Sequence, residues 1–134
     1  MNRELFRPIQ NMIRKGDLDG ARKELERKIY KGDPLHDLFC AICAEEDRLL
    51  FWERAIKSLE KEGPTNELLF AIDKASLYSQ EGNDQIRLRK YLKQAMELSS
   101  TLDQNAQFLE YQAIYANRLL CDGYIEKAQE LLND

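Results

Sequence analysis

Six residues, Gly16-Asp17-Leu18-Asp19-Gly20-Ala21, return near the other end of the chain as Gly123-Tyr124-Ile125-Glu126-Lys127-Ala128, and in both copies a leucine follows the alanine by four residues. Two weaker echoes lie between them. A glycine where a helical pattern stops, polar residues that open the next pattern, and a small residue five positions after the glycine describe a tight corner between two helices. Repeated along a chain, that corner predicts a stack of helical hairpins in which each helix buries its apolar stripe against its neighbours. Such stacks usually bind other proteins and carry out no chemistry of their own.

The composition agrees. Of 134 residues, 33% are charged and 43% hydrophobic, with three prolines and six glycines, which suits a helical globular domain and excludes collagenous and disulfide-framework classes. One compact domain over residues 1–134 is expected. The net charge of −4 is unevenly spread: residues 1–33 carry nine Lys/Arg against six Asp/Glu, and the remainder eleven against eighteen. An acidic chain is repelled by nucleic acid and by anionic membrane, so neither is expected as a partner. No window approaches the ~20 apolar residues of a membrane helix, and the start Met1-Asn2-Arg3-Glu4-Leu5-Phe6-Arg7-Pro8 lacks a secretory apolar stretch. Three cysteines, an odd number, fit a reducing compartment, and a cytoplasmic location is expected.

The apolar periodicity predicts an all-α chain of about eight helices in four antiparallel hairpins, approximately 3–32, 34–62, 65–99 and 103–133, with no strands. Leu18, Ala21, Leu25 and Ile29 mark a helix over 17–31, closed by Gly32-Asp33-Pro34. Leu35 to Glu45 is apolar almost all round, as in a helix buried between neighbours. Trp52, Ala55, Ile56 and Leu59 define the next helix, which ends at Gly63-Pro64. Leu68, Ala71, Ile72, Ala75 and Tyr78 precede Gly82, and Leu88, Tyr91, Leu92, Ala95 and Leu98 follow it. Ser99-Ser100-Thr101-Leu102-Asp103 reads as a loop. Beyond it, Leu109, Gln112, Ala113, Ala116, Leu119 and Leu120 mark a long helix, and Ile125, Ala128 and Leu132 a final short one. Pro8 allows two readings of the start: a helix that begins near Phe6 with Pro8 in its first turn, or an extended arm over residues 1–7.

These residues resemble the tetratricopeptide repeat, a family of paired antiparallel helices with a period of about 34 residues. The residues just after each corner, Ala21, Ala55, Leu88 and Ala128, are spaced by 34, 33 and 40. Cys43, Ala75 and Ala116 match the family's small residue where two helices touch, with Tyr78 and Leu119 as its large followers. Ile9 and Glu46 depart from the pattern. The resemblance implies a short right-handed superhelix whose first helices line a concave groove. By the same resemblance the groove displays Phe6, Gln10 and Ile13, then Asp37, Cys40, Ala44 and Arg48, then Leu69, Ile72, Ser76 and Gln80, and last Glu110, Ala113, Asn117 and Leu120. Of the Lys/Asn and Lys/Arg pairs with which some family members grip a C-terminal carboxylate, only Asn117 is present, so a hydrophobic or helical segment is the better ligand.

Candidate chemistry is sparse. His36, Cys40 and Cys43 share a helical face and offer soft ligands for zinc, with Cys121 or Asp37 as a fourth, but cysteines on a helix flanked by apolar residues more often pack as small hydrophobes. Cys40-Ala41-Ile42-Cys43 has a redox spacing without the strand that motif requires. A single histidine leaves no assembly of nucleophile, base and orienting acid, and the glycines form no phosphate loop. Neither an enzyme nor a cofactor is expected. Of two basic clusters, Arg22, Lys23, Arg27, Lys28 and Lys31 include a Glu24–Lys28 pair at the favourable spacing. Arg87, Arg89, Lys90 and Lys93 are the better candidates to dock an acidic partner. Ile125, Leu131 and Leu132 have no capping helix after them, so they either pack inward or dock onto a second copy or another protein. The function expected is therefore a non-catalytic adaptor that holds a partner's segment in the groove, with self-association through the C-terminal edge as the alternative.

Overall fold

The computed structural model describes residues 1–133, and among them the fold is all-helical, with nine α-helices and no strand. The chain gathers into two compact units, Met1–Gly63 and Pro64–Asp134, which meet in sequence at the Gly63-Pro64 corner.

In the first unit a 3-10 turn, Glu4–Phe6, leads into α1 (Arg7–Arg14), followed by α2 (Leu18–Leu25), α3 (Lys28–Lys31), α4 (Leu35–Cys43) and α5 (Arg48–Glu60). Pro8 occupies the first turn of α1, where a missing N–H costs no helical hydrogen bond, so the first of the two readings of the start holds. Phe6 is fully buried, stacked on Phe39 with ring centroids 5.1 Å apart and tilted against Tyr30 at 5.2 Å. Packing joins α1 to α2, α2 to α4 and α4 to α5.

The helix expected over 17–31 is broken. Arg27 is extended at φ −68°, ψ 142°, which ends α2 at Leu25 and restarts the backbone as the single turn α3. The break turns Tyr30 inward, 2% exposed, and leaves Ile29 53% exposed. Burying the larger aromatic contributes about 2 kcal/mol, and the cost of its hydroxyl is met because the O–H donates to Glu24 Oε1 at 3.0 Å. Glu24 also pairs with Arg27 at 2.6 Å instead of the expected Lys28, which no longer lies one helical turn above it. At the far end of α4, which stops at Cys43 and not at Glu45, the Arg22 guanidinium donates to the Cys43 carbonyl and satisfies an orphan acceptor.

The second unit contains α6 (Asn66–Glu81), α7 (Gln85–Thr101), α8 (Asn105–Cys121) and α9 (Ile125–Asn133), each packed on the next. Thr65 caps α6 through the Leu68 N–H, and Asp84 caps α7 through the Arg87 N–H. Of the loop expected over 99–103, residues 99–101 are instead the last turn of α7, and only Leu102 and Asp103 form the corner. Ser99 is fully buried and its hydroxyl donates to the Ala95 carbonyl at 2.7 Å, while Thr101 donates to Glu97 at 3.1 Å. Hydroxyls bonded one turn back do not compete with the helix for backbone partners.

Three corners of this unit and one of the first share a geometry. In each, one residue adopts a left-handed backbone: Gly16 (φ 79°), Asn83 (φ 56°), Asp103 (φ 56°) and Gly123 (φ 89°). The next N–H then reaches five residues back, Asp17 to Met12, Asp84 to Ser79, Gln104 to Ser99 and Tyr124 to Leu119, at 2.8–2.9 Å. This is the hydrogen bond of a Schellman motif, which occupies carbonyls a helix end leaves open. Gly82, the glycine between α6 and α7, stays at φ −85° and Asn83 makes the turn in its place. The residues four positions past the capping residue at three of these corners, Ala21, Leu88 and Ala128, are buried, as are Cys43, Ala75 and Ala116, while Phe108 at the Asp103 corner is half-buried. Small side chains there let helix axes approach to about 8 Å.

The apolar residues of the last two helices are turned differently from the expected stripe. Ala116 and Leu119 are buried, but Leu109 is 60% exposed and Leu120 45%. The inward side of α8 is completed by the expected Gln112 and by Tyr111 and Tyr115, long side chains with polar tips that the expected stripe does not include, while Ala113 is exposed. On α9 Ala128 is buried, whereas Ile125 and Leu132 are exposed.

Candidate functional site

Helices α6 and α8 face each other across the second unit at a constant offset. Asn66 accepts a hydrogen bond from the Gln104 amide near the start of both helices, and the Tyr111 hydroxyl donates to Asp73 Oδ1 at 2.8 Å, each pair 38 residues apart. Seven residues, two helical turns, separate Asn66 from Asp73 and Gln104 from Tyr111, so the same interval brings Gln80 opposite Arg118. The first two rungs are closed by hydrogen bonds. The third is open: Gln80, Asn117, Arg118 and Ile114 surround a cleft of about 110 Å³ whose floor is Leu88 and Leu92 of α7.

Arg118 is the unusual group in this cleft. Its Nε is buried and has no hydrogen-bond partner, the nearest carboxylate oxygen being Asp122 Oδ1 at 3.6 Å. Asp122 Oδ2 is taken by Arg89, whose guanidinium also lies 4.9 Å from the centre of the Tyr124 ring. The side chains of Arg118, Asp122 and Arg89 are 24%, 13% and 20% exposed, so two largely buried guanidiniums share a single carboxylate. Both cations bear on a carboxylate at the C-terminal end of α8, where the helix dipole disfavours negative charge.

Of the fifteen residues expected to line a groove, Gln80 and Asn117 meet at this cleft, Asp37, Cys40 and Ala44 are half-buried in the first unit, and Glu110 and Ala113 are exposed on α8. Gln10, Arg48 and Leu120 are exposed and Ile13 is half-buried. Phe6, Leu69, Ile72 and Ser76 are between 0% and 8% exposed and serve as core, with the Ser76 hydroxyl donating to the Asp73 carbonyl. On α6 the outward positions belong instead to Phe70 and Leu77, each 43% exposed. Arg118 was not among the expected residues. The polar series Asn66, Asp73, Gln80 and Gln104, Tyr111, Arg118, at intervals of seven, is the signal in the sequence that marks it.

The basic cluster on α7 is partly neutralised, since Arg87 pairs with Asp84 at 2.7 Å and Arg89 with Asp122. In the first unit His36 and Cys40 are adjacent, with Cys40 Sγ 3.7 Å from the imidazole Nε2. That nitrogen donates to the Leu25 carbonyl at 3.1 Å, a bond that closes a helix end. Burial, with Asp37 nearby, pushes the Cys40 thiol up to about 11, and burial raises Cys43 as well, so both remain protonated near neutral pH. Among the described residues no group of three His, Cys, Asp or Glu is arranged to hold a metal ion.

Compared with known proteins, the chain matches no family model, no curated protein and no solved structure.

Proposed function

We propose that the chain is a non-catalytic, tetratricopeptide-like adaptor of the cytoplasm that binds an extended or helical segment of a partner protein along the α6–α8 face. The observation that carries this reading is the open third rung, where Gln80 and Asn117 flank an apolar floor. A space of about 110 Å³ is a third of the smallest usual small-molecule pocket and matches one apolar side chain. Side-chain amides at its rim suit a peptide backbone, which offers both donors and acceptors. The repeated corners and the buried small residues support the repeat character of the array, and the free Cys40, Cys43 and Cys121 suit a reducing compartment. Panning a random dodecapeptide display library against the chain tests the reading. Selected peptides bind the wild type and bind Ile114→Glu at least tenfold more weakly; Ile114 is 43% exposed, so the substitution leaves the fold intact. Equal binding by both proteins, or no selected peptide, contradicts it.

A second reading, self-association through the C-terminal edge, is favoured by the exposure of Leu109, Leu120, Ile125 and Leu132, between 45% and 60% each. Sedimentation equilibrium that shows a monomer at all accessible concentrations removes it.

A further inference from the structure

We propose that the third rung between α6 and α8 is completed by the ligand: a bound peptide places the side-chain carboxylate of an Asp or Glu on Arg118 and an adjacent apolar side chain on Leu88, Leu92 and Ile114. This rests on reading the cleft as a peptide site and specifies the chemistry of its occupant. The first two rungs are closed from within, by Asn66 with Gln104 and by Asp73 with Tyr111. At the third, Gln80 and Arg118 line the cleft, and the Arg118 Nε, enclosed and 3.6 Å from Asp122 Oδ1, makes no hydrogen bond. The guanidinium atoms of Arg118 that reach the cleft are met best by an anionic acceptor, because guanidinium binds carboxylate through charge-assisted hydrogen bonds.

The local charge points the same way. Arg89 and Arg118 share Asp122, and the contact from Asp122 to Arg118 is long while that to Arg89 is short. One positive charge is therefore left without an equal partner at the cleft wall. The apolar floor lies beside it, formed by the first turns of α7 and by Ile114 one helical turn before Arg118. A ligand with an acid and a leucine-sized side chain close together meets both features. The recognised carboxylate belongs to a side chain, so the ligand does not have to present its own C-terminus.

Dodecapeptides with blocked C-termini, displayed as a random library and panned against the full chain, test the assignment. The expected result is enrichment of Asp or Glu next to Leu, Ile, Met or Phe. Arg118→Gln should bind the selected peptides at least tenfold more weakly while its circular dichroism is unchanged, and Arg118→Lys should recover only part of the loss because it lacks the planar fork. Asp122→Asn frees both arginines and should tighten the same peptides severalfold, a gain that no misfolded protein shows. Selected peptides that carry no acidic preference overturn this inference and leave the peptide-binding reading standing. Acidic peptides whose affinity is indifferent to both Arg118→Gln and Asp122→Asn overturn it as well. A library that yields no binder at all overturns both.

Discussion

The Tyr111 hydroxyl of α8 donates to the Asp73 carboxylate of α6 at 2.8 Å and ties together two helices that are not consecutive in the chain. Burial first, and then the hydrogen bond to Asp73, raises the phenol well above its ordinary value of 10.0. Removing the hydroxyl in Tyr111→Phe should lower unfolding free energy by about 1 kcal/mol, read from urea denaturation at neutral pH. A smaller cost than a few tenths of a kcal/mol would mean that the rung contributes no net stability.

The same phenol sets an alkaline limit. A tyrosine that holds its proton more tightly folded than unfolded contributes stability that is fully present below the unfolded value near 10.0 and is lost as the pH rises through and beyond it. Wild-type unfolding free energy should therefore fall more steeply than that of Tyr111→Phe above about pH 10, and the two should run parallel between pH 7 and 9. Parallel curves throughout the alkaline range would show that the phenol is not perturbed.

At the corners, Asn83 and Asp103 hold a left-handed backbone that glycine adopts at less cost. Asn83→Gly and Asp103→Gly should each stabilise the protein by roughly 0.5–1 kcal/mol, a net gain after the extra entropy of an unfolded glycine. Gly123→Ala should lose about 1 kcal/mol even though nothing lies within 4 Å of the added methyl, because the strain is in the backbone at φ 89°. Thermal unfolding of the three variants checks the signs directly.

In the first unit, Tyr30→Ala should cost about 3–4 kcal/mol, whereas Ile29→Ala at the neighbouring position should cost less than about 0.5 kcal/mol. The reverse order would restore the continuous helix over 17–31 and remove the break at Arg27.

That pair of residues also shows where the sequence stops being legible. The existence and order of the helices follow from residues such as Leu88, Tyr91, Leu92 and Ala95, whose spacing buries one face whatever lies opposite. The phase of a helix end does not follow, since Ile29 and Tyr30 are both apolar enough to be buried and the choice depends on Phe6, Phe39 and Glu24, which come from elsewhere in the chain. Ser99-Ser100-Thr101-Leu102-Asp103 reads as a loop because it is a polar run with cap-forming residues, but the Ser99 and Thr101 hydroxyls each bond a carbonyl one turn earlier and stay within the helix. All four corners are legible as breaks between helical stripes, but the left-handed residue is the expected glycine only at Gly16 and Gly123 and is Asn83 or Asp103 at the other two, because several residues can adopt that backbone state. For the site, Gln80 and Asn117 were reached through the family resemblance, while Leu69, Ile72 and Ser76, placed in the same groove, are core. A shift of one or two positions around α6 separates the buried from the exposed face, and the periodicity alone does not fix that rotation when Phe70 and Leu77 are also apolar.

The central proposal is that a partner is held at the open rung between α6 and α8. Nuclear magnetic resonance of the chain during titration with a display-selected acidic and apolar dodecapeptide observes it directly, through the side-chain amides of Gln80 and Asn117 and the Nε–H of Arg118. All three signals should shift together and saturate at one peptide per chain. Saturable shifts confined to the edge around Ile125 and Leu132, with Gln80, Asn117 and Arg118 unmoved, would contradict it.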